Sequence, residues 1–234
     1  MKRILSLLAL VCFVIGIAII DSCKKPHTPT TIYDIDGNVY NIVTIGSQLW
    51  MGEDLKTTKY NDGTAIPLVT TPLSDWAALS TPAYCWYGND TATYSDYGAL
   101  YNWFALDASS NGSKNVCPAG WHVPAEIEWE TLITNIGDVS VAGGLLKETG
   151  TKHWITPNTG ATNKTGFTAI PGGERVYTDG GFAEIGTNSY HWSSTEDEYN
   201  SAMGWGQNIS NTSGSIINNG YPKTSGVSVR CLKN

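Results

Sequence analysis

The strongest helical signal in this chain is also a short one. From Ala125 to Ile136, the residues Trp129, Leu132, Ile133 and Ile136 fall at i, i+3, i+4 and i+7, and Gly137 ends the stripe. The N-cap residue, Ala125, offers no side-chain oxygen, although Glu128 stands where a capping-box partner would be. This start therefore lacks about 1 kcal/mol of capping and the helix relies on packing. A second helix is expected after Asp96, where Leu100, Trp103 and Phe104 fall at i, i+3 and i+4. Beyond Gly144 the pattern predicts only a short Leu145-Leu146 turn and then Gly/Asn/Thr-rich chain.

The remaining segments read as strands and loops. From Tyr33 to Met51 residues alternate around an Asp36-Gly37-Asn38 turn, predicting a hairpin that ends in Trp50. Val39, Val43 and Ile45 fall on one face, Tyr40 and Ile42 on the other. Residues 56–82 hold Pro67, Pro72 and Pro82 without a sustained period, so they predict an ordered loop with one helical turn near Trp76. Ala83 to Tyr87 predicts a short strand. Near the end, Val227, Val229 and Cys231 alternate with Ser228 and Arg230 as in a half-buried strand. Two helices flanked by short antiparallel sheets and long ordered loops make an α+β domain.

The amino end has a different character. Lys2 and Arg3 precede an apolar run from Ile4 to Ile20, interrupted only by Ser6 and Gly16, in the charge-then-apolar order of a secretory signal. Ser22-Cys23 follows directly, similar to the lipobox of bacterial lipoproteins, in which the cysteine thiol receives diacylglycerol. Residues 1–22 are thus expected to be a lipoprotein signal peptide, residues 23–32 a lipidated tether attached through Cys23, and residues 33–234 the working domain. Multiple acyl chains, at about 0.8 kcal/mol per buried methylene, hold a protein stably on a membrane. The expected location is the cell envelope, on the outer membrane, periplasmic or surface-exposed.

Loss of residues 1–22 removes Lys2, Arg3 and Asp21, moving the net charge from −7 to about −8. Nucleic-acid partners are disfavoured, because counterion release from phosphate needs a basic face and no basic cluster occurs. Charged residues make up only 15% of the chain, while it holds 25 Gly, 12 Tyr and 9 Trp, a loop-rich and aromatic composition. With Cys12 removed and Cys23 acylated, Cys85, Cys117 and Cys231 remain in an oxidising compartment. One pair and one odd thiol is the expectation, and the residues do not choose among the three pairings.

An ordered set of motifs carries a family resemblance. It runs through Asp36-Gly37-Asn38, Trp50-Met51, Tyr84-Cys85-Trp86-Tyr87, Tyr97-Gly98-Ala99-Leu100-Tyr101-Asn102-Trp103 and Cys117-Pro118. Gly120-Trp121-His122-Val123-Pro124, Gly166-Phe167, Pro171-Gly172-Gly173, Trp192-Ser193-Ser194 and Val229-Arg230-Cys231 complete it. The chain resembles the Fibrobacter succinogenes major paralogous domain, a set of exported bacterial proteins often found as lipoproteins. It departs from that family at Ala125, where Ser or Thr is usual. The same order of motifs is similar to the formylglycine-generating-enzyme branch of the C-type-lectin-like fold, which brings its first and last strands together. That resemblance implies Cys85 paired with Cys231 and Cys117 left over, with Cys117–Cys231 as the alternative.

Catalysis finds little support. Formylglycine-generating enzymes place two working cysteines near the chain end, whereas Cys231 stands alone there, and no Gly-x-Ser-x-Gly elbow or His-Glu-x-x-His helix occurs. His122 reads as a turn histidine, and His153 and His191 lack partners at metal spacing. Asp34, Asp36 and Asn38 mimic the start of a calcium loop, but Ile45 occupies the position of the bidentate glutamate. Glu196, Asp197 and Glu198 read as a solvated loop. Arg175 and Arg230 read as internal ion pairs, and most tryptophans as core, with Trp154 and Trp205 the better candidates for exposure. No cofactor or metal is expected.

The segment from Tyr199 to Tyr221 mixes Asn, Ser, Gly and Thr with aromatic residues, the composition of an antibody-like binding surface. Its ligand-binding candidates are Tyr199, Trp205, Gln207, Asn208, Asn211, Asn218, Asn219 and Tyr221. In related lectin-like lipoproteins a comparable C-terminal region is varied by diversity-generating retroelements. The expected function is a non-catalytic ligand-binding or adhesion domain for a glycan or protein. The alternatives are a structural surface protein without a discrete site and a cysteine-dependent oxidase-like enzyme.

Overall fold

The computed structural model describes residues 30–70 and 73–234, so the expected signal peptide and Cys23 lie outside the described residues. The first elements are β1 (Thr31–Tyr33), β2 (Val39–Ile45) and β3 (Gln48–Met51), an antiparallel meander in register at Tyr33↔Val39 and Val43↔Trp50. Its first turn is clasped by Asp34, whose carboxylate accepts from the backbone N–H of Asp36 and Asn38 and from the Tyr40 hydroxyl. Asp36 is engaged elsewhere, by Lys59 at 2.8 Å and by the N–H of Thr58. These acidic residues thus tie the hairpin to the following loop. The second turn needs Gly46, with φ +61°, because a Cβ there would collide with the Asn135 side chain.

Both faces of β2 are used. Tyr40 and Ile42 pack into one apolar cluster with Met51, Trp121, Trp192 and Val229, while Val43 and Ile45 pack into another with Trp50, Trp129 and Phe167. Strand alternation thereby divides the core in two. Past β3, α1 (Leu73–Ala77) buries Trp76, whose indole N–H donates to the Thr224 carbonyl at 2.7 Å. Next comes the pair β4 (Tyr84–Cys85) and β5 (Leu100–Tyr101), separated by α2 (Thr91–Tyr94) and followed by α3 (Ala108–Asn111). The helix expected after Asp96 does not form. Leu100 and Tyr101 are extended against β4, and only a single 3₁₀ turn, Trp103–Ala105, follows. The i, i+3, i+4 spacing arose from residues that face different neighbours, so tertiary packing overrode a weak local period.

The chain then enters β6 (Trp121–His122) and α4 (Glu126–Ile136), the helix expected from its stripe. Glu128 accepts from the Ala125 N–H at 2.8 Å. The side-chain oxygen that Ala125 lacks comes from another element, since Thr195 Oγ accepts from the Glu126 N–H at 3.0 Å. Gly137 ends α4, and α5 (Val139–Leu146) starts at once, with Asp138 capping Ser140. This second central helix replaces the expected turn. Its Gly143 and Gly144 are contact points and not terminators: added Cβ atoms would lie 2.1 Å from Ser215 O and 2.3 Å from Gly160 O.

A small hairpin, β7 (Glu174–Arg175) and β8 (Phe182–Ala183), precedes the three-stranded sheet of β9 (Asn188–Glu196), β10 (Met203–Ser210) and β11 (Ile216–Pro222), in the order β11-β10-β9. The chain closes with β12 (Leu232–Lys233), which joins the first sheet between β3 and β6 in the order β1-β2-β3-β12-β6. The run before β12 is buried on both faces. Ser228 and Arg230 are as inaccessible as Val227 and Val229, which corrects the half-buried expectation. Its carbonyls serve several segments in turn: Gly226 binds Arg175 N, Val227 binds Tyr101 N, Ser228 binds Trp192 N and Val229 binds Leu55 N. A segment that threads the middle of a domain must satisfy its backbone on every side.

The disulfide joins Cys117 to Cys231, with Cα atoms 5.9 Å apart. This corrects the favoured Cys85–Cys231 pairing. Cys85 is a buried free thiol beside Trp76, Ala83 and Leu100, in a cluster separate from the one that holds Cys117 and Cys231. Trp154, expected to be exposed, is also buried, its N–H donating to the Ala169 carbonyl at 3.0 Å.

Candidate functional site

The eight candidate residues of the C-terminal segment divide by burial and not by strand alternation, since consecutive residues share a class. Tyr199, in the β9–β10 connection, is 87% exposed, and Asn218 and Asn219 are exposed on β11, the free edge of its sheet. Ile217 beside them is also exposed. The connection folds toward this strand, since Asp197 approaches Gly220. Trp205 is half-buried on β10, and Tyr221 packs edge-on against Tyr190 at 5.6 Å and Trp192 at 6.2 Å.

The other members are structural. Gln207 is fully buried, its Nε2 donating to Asn218 at 3.2 Å and, at 3.3 Å, to Glu126 on α4. Asn208 donates to Asn188 at 3.1 Å, and Asn211 donates to the Ile155 carbonyl at 3.1 Å. Asn208 therefore ties β10 to β9 within the sheet, and Asn211 ties the end of β10 to the segment at Ile155. Glu126 has a carboxyl pushed up to about 7, chiefly by burial, with Glu130 adding to the rise and Gln207 opposing it.

A second polar constellation lies below another surface. Asp54, just after β3, is fully buried, and its Oδ1 accepts from Arg230 Nε at 2.8 Å, from Arg230 Nη2 at 2.5 Å and from His191 Nε2 at 2.9 Å. The Arg230 guanidinium also donates to the Gly52 and Phe167 carbonyls and lies 4.0 Å from the Phe167 ring centroid. Burial pushes the Asp54 carboxyl upward, but Arg230 and then His191 outweigh it and hold it below the usual range. Asp54 Oδ2 and His191 Nδ1 have no hydrogen-bond partner among the described residues. Asp54 and Arg230 form the floor of a cleft of about 240 Å³ between the loops after β3, around Asp96, at 148–153 and at 168–170.

Two further buried cations brace the fold. Arg175, unlike Arg230, meets no carboxylate: it donates to the Gly180 and Val69 carbonyls and sits between the Trp76 and Phe182 rings. The neighbouring Cys85 thiol is pushed up to about 12 by burial, an effect that Arg175 only partly offsets. Lys147 follows α5, and burial brings its ammonium down to about 8, still protonated at neutral pH. All three of its protons are used, on the carbonyls of Thr159, Ser210 and Ser213 at 2.7–2.9 Å. His122 bridges Asn234 and Glu128, and His153 pairs with Glu148 at 2.8 Å. Among the described residues no group of three or more His, Cys, Asp or Glu is placed to hold a metal ion, and no helix is long and apolar enough to cross a membrane.

These features define a mixed helix-and-sheet domain whose last strand is seated inside its first sheet and locked there by an arginine–aspartate pair and a disulfide. The chain belongs to the Fibrobacter succinogenes major domain family, whose pattern matches residues 43–233. No curated protein and no solved structure matches it. Sequence reasoning passed over Asp54 and Lys147 and weighed His191 only as a metal ligand. Asp54 and His191 lie 137 positions apart and meet only through the fold, so nothing local marks them.

Proposed function

We propose that this chain is a cell-envelope lipoprotein, anchored through Cys23, whose domain has a C-type-lectin-like arrangement and binds a glycan or protein ligand without catalysis. The pairing of β12 with β3, which brings the two ends of the domain together, supports that arrangement. A disulfide suits an exported protein. The non-catalytic reading draws support from the cysteines: Cys231 is bonded to Cys117, and the Cys85 thiol is buried and raised to about 12, far from a reactive thiolate.

The observation that carries the binding reading is the open edge of the C-terminal sheet. Ile217, Asn218 and Asn219 are exposed on a strand whose other side is hydrogen-bonded to β10 over seven register positions, and Tyr199 stands clear of the surface nearby. Exposed aromatic and amide groups on a rigid support lose little entropy on binding. The triple variant Tyr199→Ala, Asn218→Ala, Asn219→Ala should lose capture on glycan and protein arrays while its melting temperature falls only by the few degrees that loss of the Gln207–Asn218 hydrogen bond entails. Undiminished capture by the folded triple variant would reject this surface.

A further inference from the structure

The first hairpin carries a surface that its own packing does not use. On the core face, Ile32 and Tyr40 pair in register and pack with Met51, Trp121 and Trp192. On the opposite face Tyr33 pairs with Val39, and the two are 60% and 54% exposed. Ile35, in the turn between them, is also exposed. The cluster that takes Val43 and Ile45 further along the same face of β2 includes neither Tyr33 nor Val39. Three large apolar side chains within one short stretch of chain thus stand in water at one tip. Apolar residues exposed singly are ordinary, whereas a group of them at one tip marks a contact surface.

The acidic groups of the turn already have partners. The buried Asp34 carboxylate accepts from the N–H groups of Asp36 and Asn38, from the Asn38 amide and from the Tyr40 hydroxyl. Asp36 is held by Lys59, Thr57 and Thr58 of the following loop. Such a tip enters an apolar layer at less cost than one carrying a free carboxylate. Glu53, bonded to Asn41 beyond Val39, marks where the polar surface resumes.

The direction of the chain indicates what meets this tip. Thr30 stands at the entry to β1, the edge strand of its sheet, with its carbonyl accepting from the Ile42 N–H. Cys23 lies seven residues earlier. A chain spans at most about 3.3–3.6 Å per residue, so an acylated Cys23 keeps Thr30 within about 25 Å of the bilayer. Tyr33 lies only about 10 Å further along the strand. Tyrosine suits the membrane interface, with its ring among acyl chains and its hydroxyl in water. We propose that Tyr33, Ile35 and Val39 dip into the phospholipid leaflet that carries the anchor and so fix the orientation of the domain on the membrane. This inference rests on the lipoprotein reading of Cys23. Three residues bind a bilayer weakly by themselves, but a short tether holds them beside it at high effective concentration.

The test uses the full acylated protein in vesicles of phosphatidylethanolamine and phosphatidylglycerol. A diazirine-bearing amino acid in place of Ile35 or Val39 should, on irradiation, link to phospholipid roughly tenfold more often than one in place of Ile217, which is equally exposed on the other sheet. Tyr33→Ser should lower the linkage from position 35 several-fold. Equal linkage from positions 35, 39 and 217, in a protein that floats with the vesicles and carries acyl chains on Cys23, would overturn the proposal and leave the lipoprotein reading standing. Linkage from position 35 to a second copy of the chain in place of lipid would do the same. A Cys23 thiol free of acyl chains would overturn both.

Discussion

Replacing Cys117 and Cys231 together by alanine should destabilise the domain more than any change at Cys85. The bridge closes a loop spanning 114 positions. In the chain-entropy treatment a loop of that length restricts the unfolded state by roughly 4.8 kcal/mol. Against an unfolding entropy of roughly 2.1 cal/mol/K per residue over about 200 residues, that corresponds to a fall in Tm of about 11 °C. Cys85→Ala cuts no link and removes one sulfur from a small cluster with Trp76 and Leu100, so about 1 kcal/mol and 2–4 °C are expected. Thermal unfolding followed by circular dichroism, with and without reductant, measures both. Reductant should lower the wild-type Tm by about as much as the double substitution and leave the double variant unmoved. Non-reducing peptide mapping should recover Cys117 linked to Cys231 and Cys85 alkylated only after unfolding. A linked peptide containing Cys85, or a larger loss from Cys85→Ala than from the double variant, would refute the reasoning.

Arg230→Met should destabilise the protein by about 3–5 kcal/mol, since it leaves a buried carboxylate with His191 alone. The folded Asp54 carboxyl lies below its ordinary 3.8, so its stabilisation is present above that pH and is lost as pH falls through the folded value. Wild type should therefore show an acid-side loss that is much shallower in Arg230→Met, as equilibrium unfolding across the acid range would show. Lys147→Met should destabilise by about 3 kcal/mol or more, because the Thr159, Ser210 and Ser213 carbonyls lose their donor, and a denaturant midpoint close to wild type would contradict this. Glu126 titrates at about 7 when folded against 4.5 otherwise, so its contribution is fully present below pH 4.5 and is lost as pH rises through 7. Glu126→Gln should flatten that part of the Tm–pH profile, and a profile that kept its slope would assign the effect to another group.

Local pattern was a good guide where neighbours in sequence are also neighbours in space. The stripe from Trp129 to Ile136 produced α4, and the alternation around Asp36-Gly37-Asn38 produced the β1–β2 turn, because helix faces and hairpin turns depend on residues a few positions apart. Many of the ordered motifs by which the family is recognised, such as Trp50-Met51, Tyr101 to Trp103 and Val229 to Cys231, supply core residues. Local reading found only a Leu145-Leu146 turn where α5 forms, since Gly143 and Gly144 sit inside that helix for contact with Ser215 and Gly160.

What chain pattern could not supply was the company kept across long separations. Cys117 and Cys85 are equally plausible partners for Cys231 in one dimension, and only the path of the final segment places Cys231 beside Cys117. The same path buries Arg230 against Asp54, 176 positions away, and so supplies the partner of an internal ion pair that the sequence predicted without naming it. Of the eight candidate binding residues, composition could name the set, but burial decided that Gln207, Asn208 and Asn211 hold the sheet while Tyr199, Asn218 and Asn219 face out. Composition states which hydrogen bonds a side chain can make. Packing decides whether the protein or an outside ligand receives them.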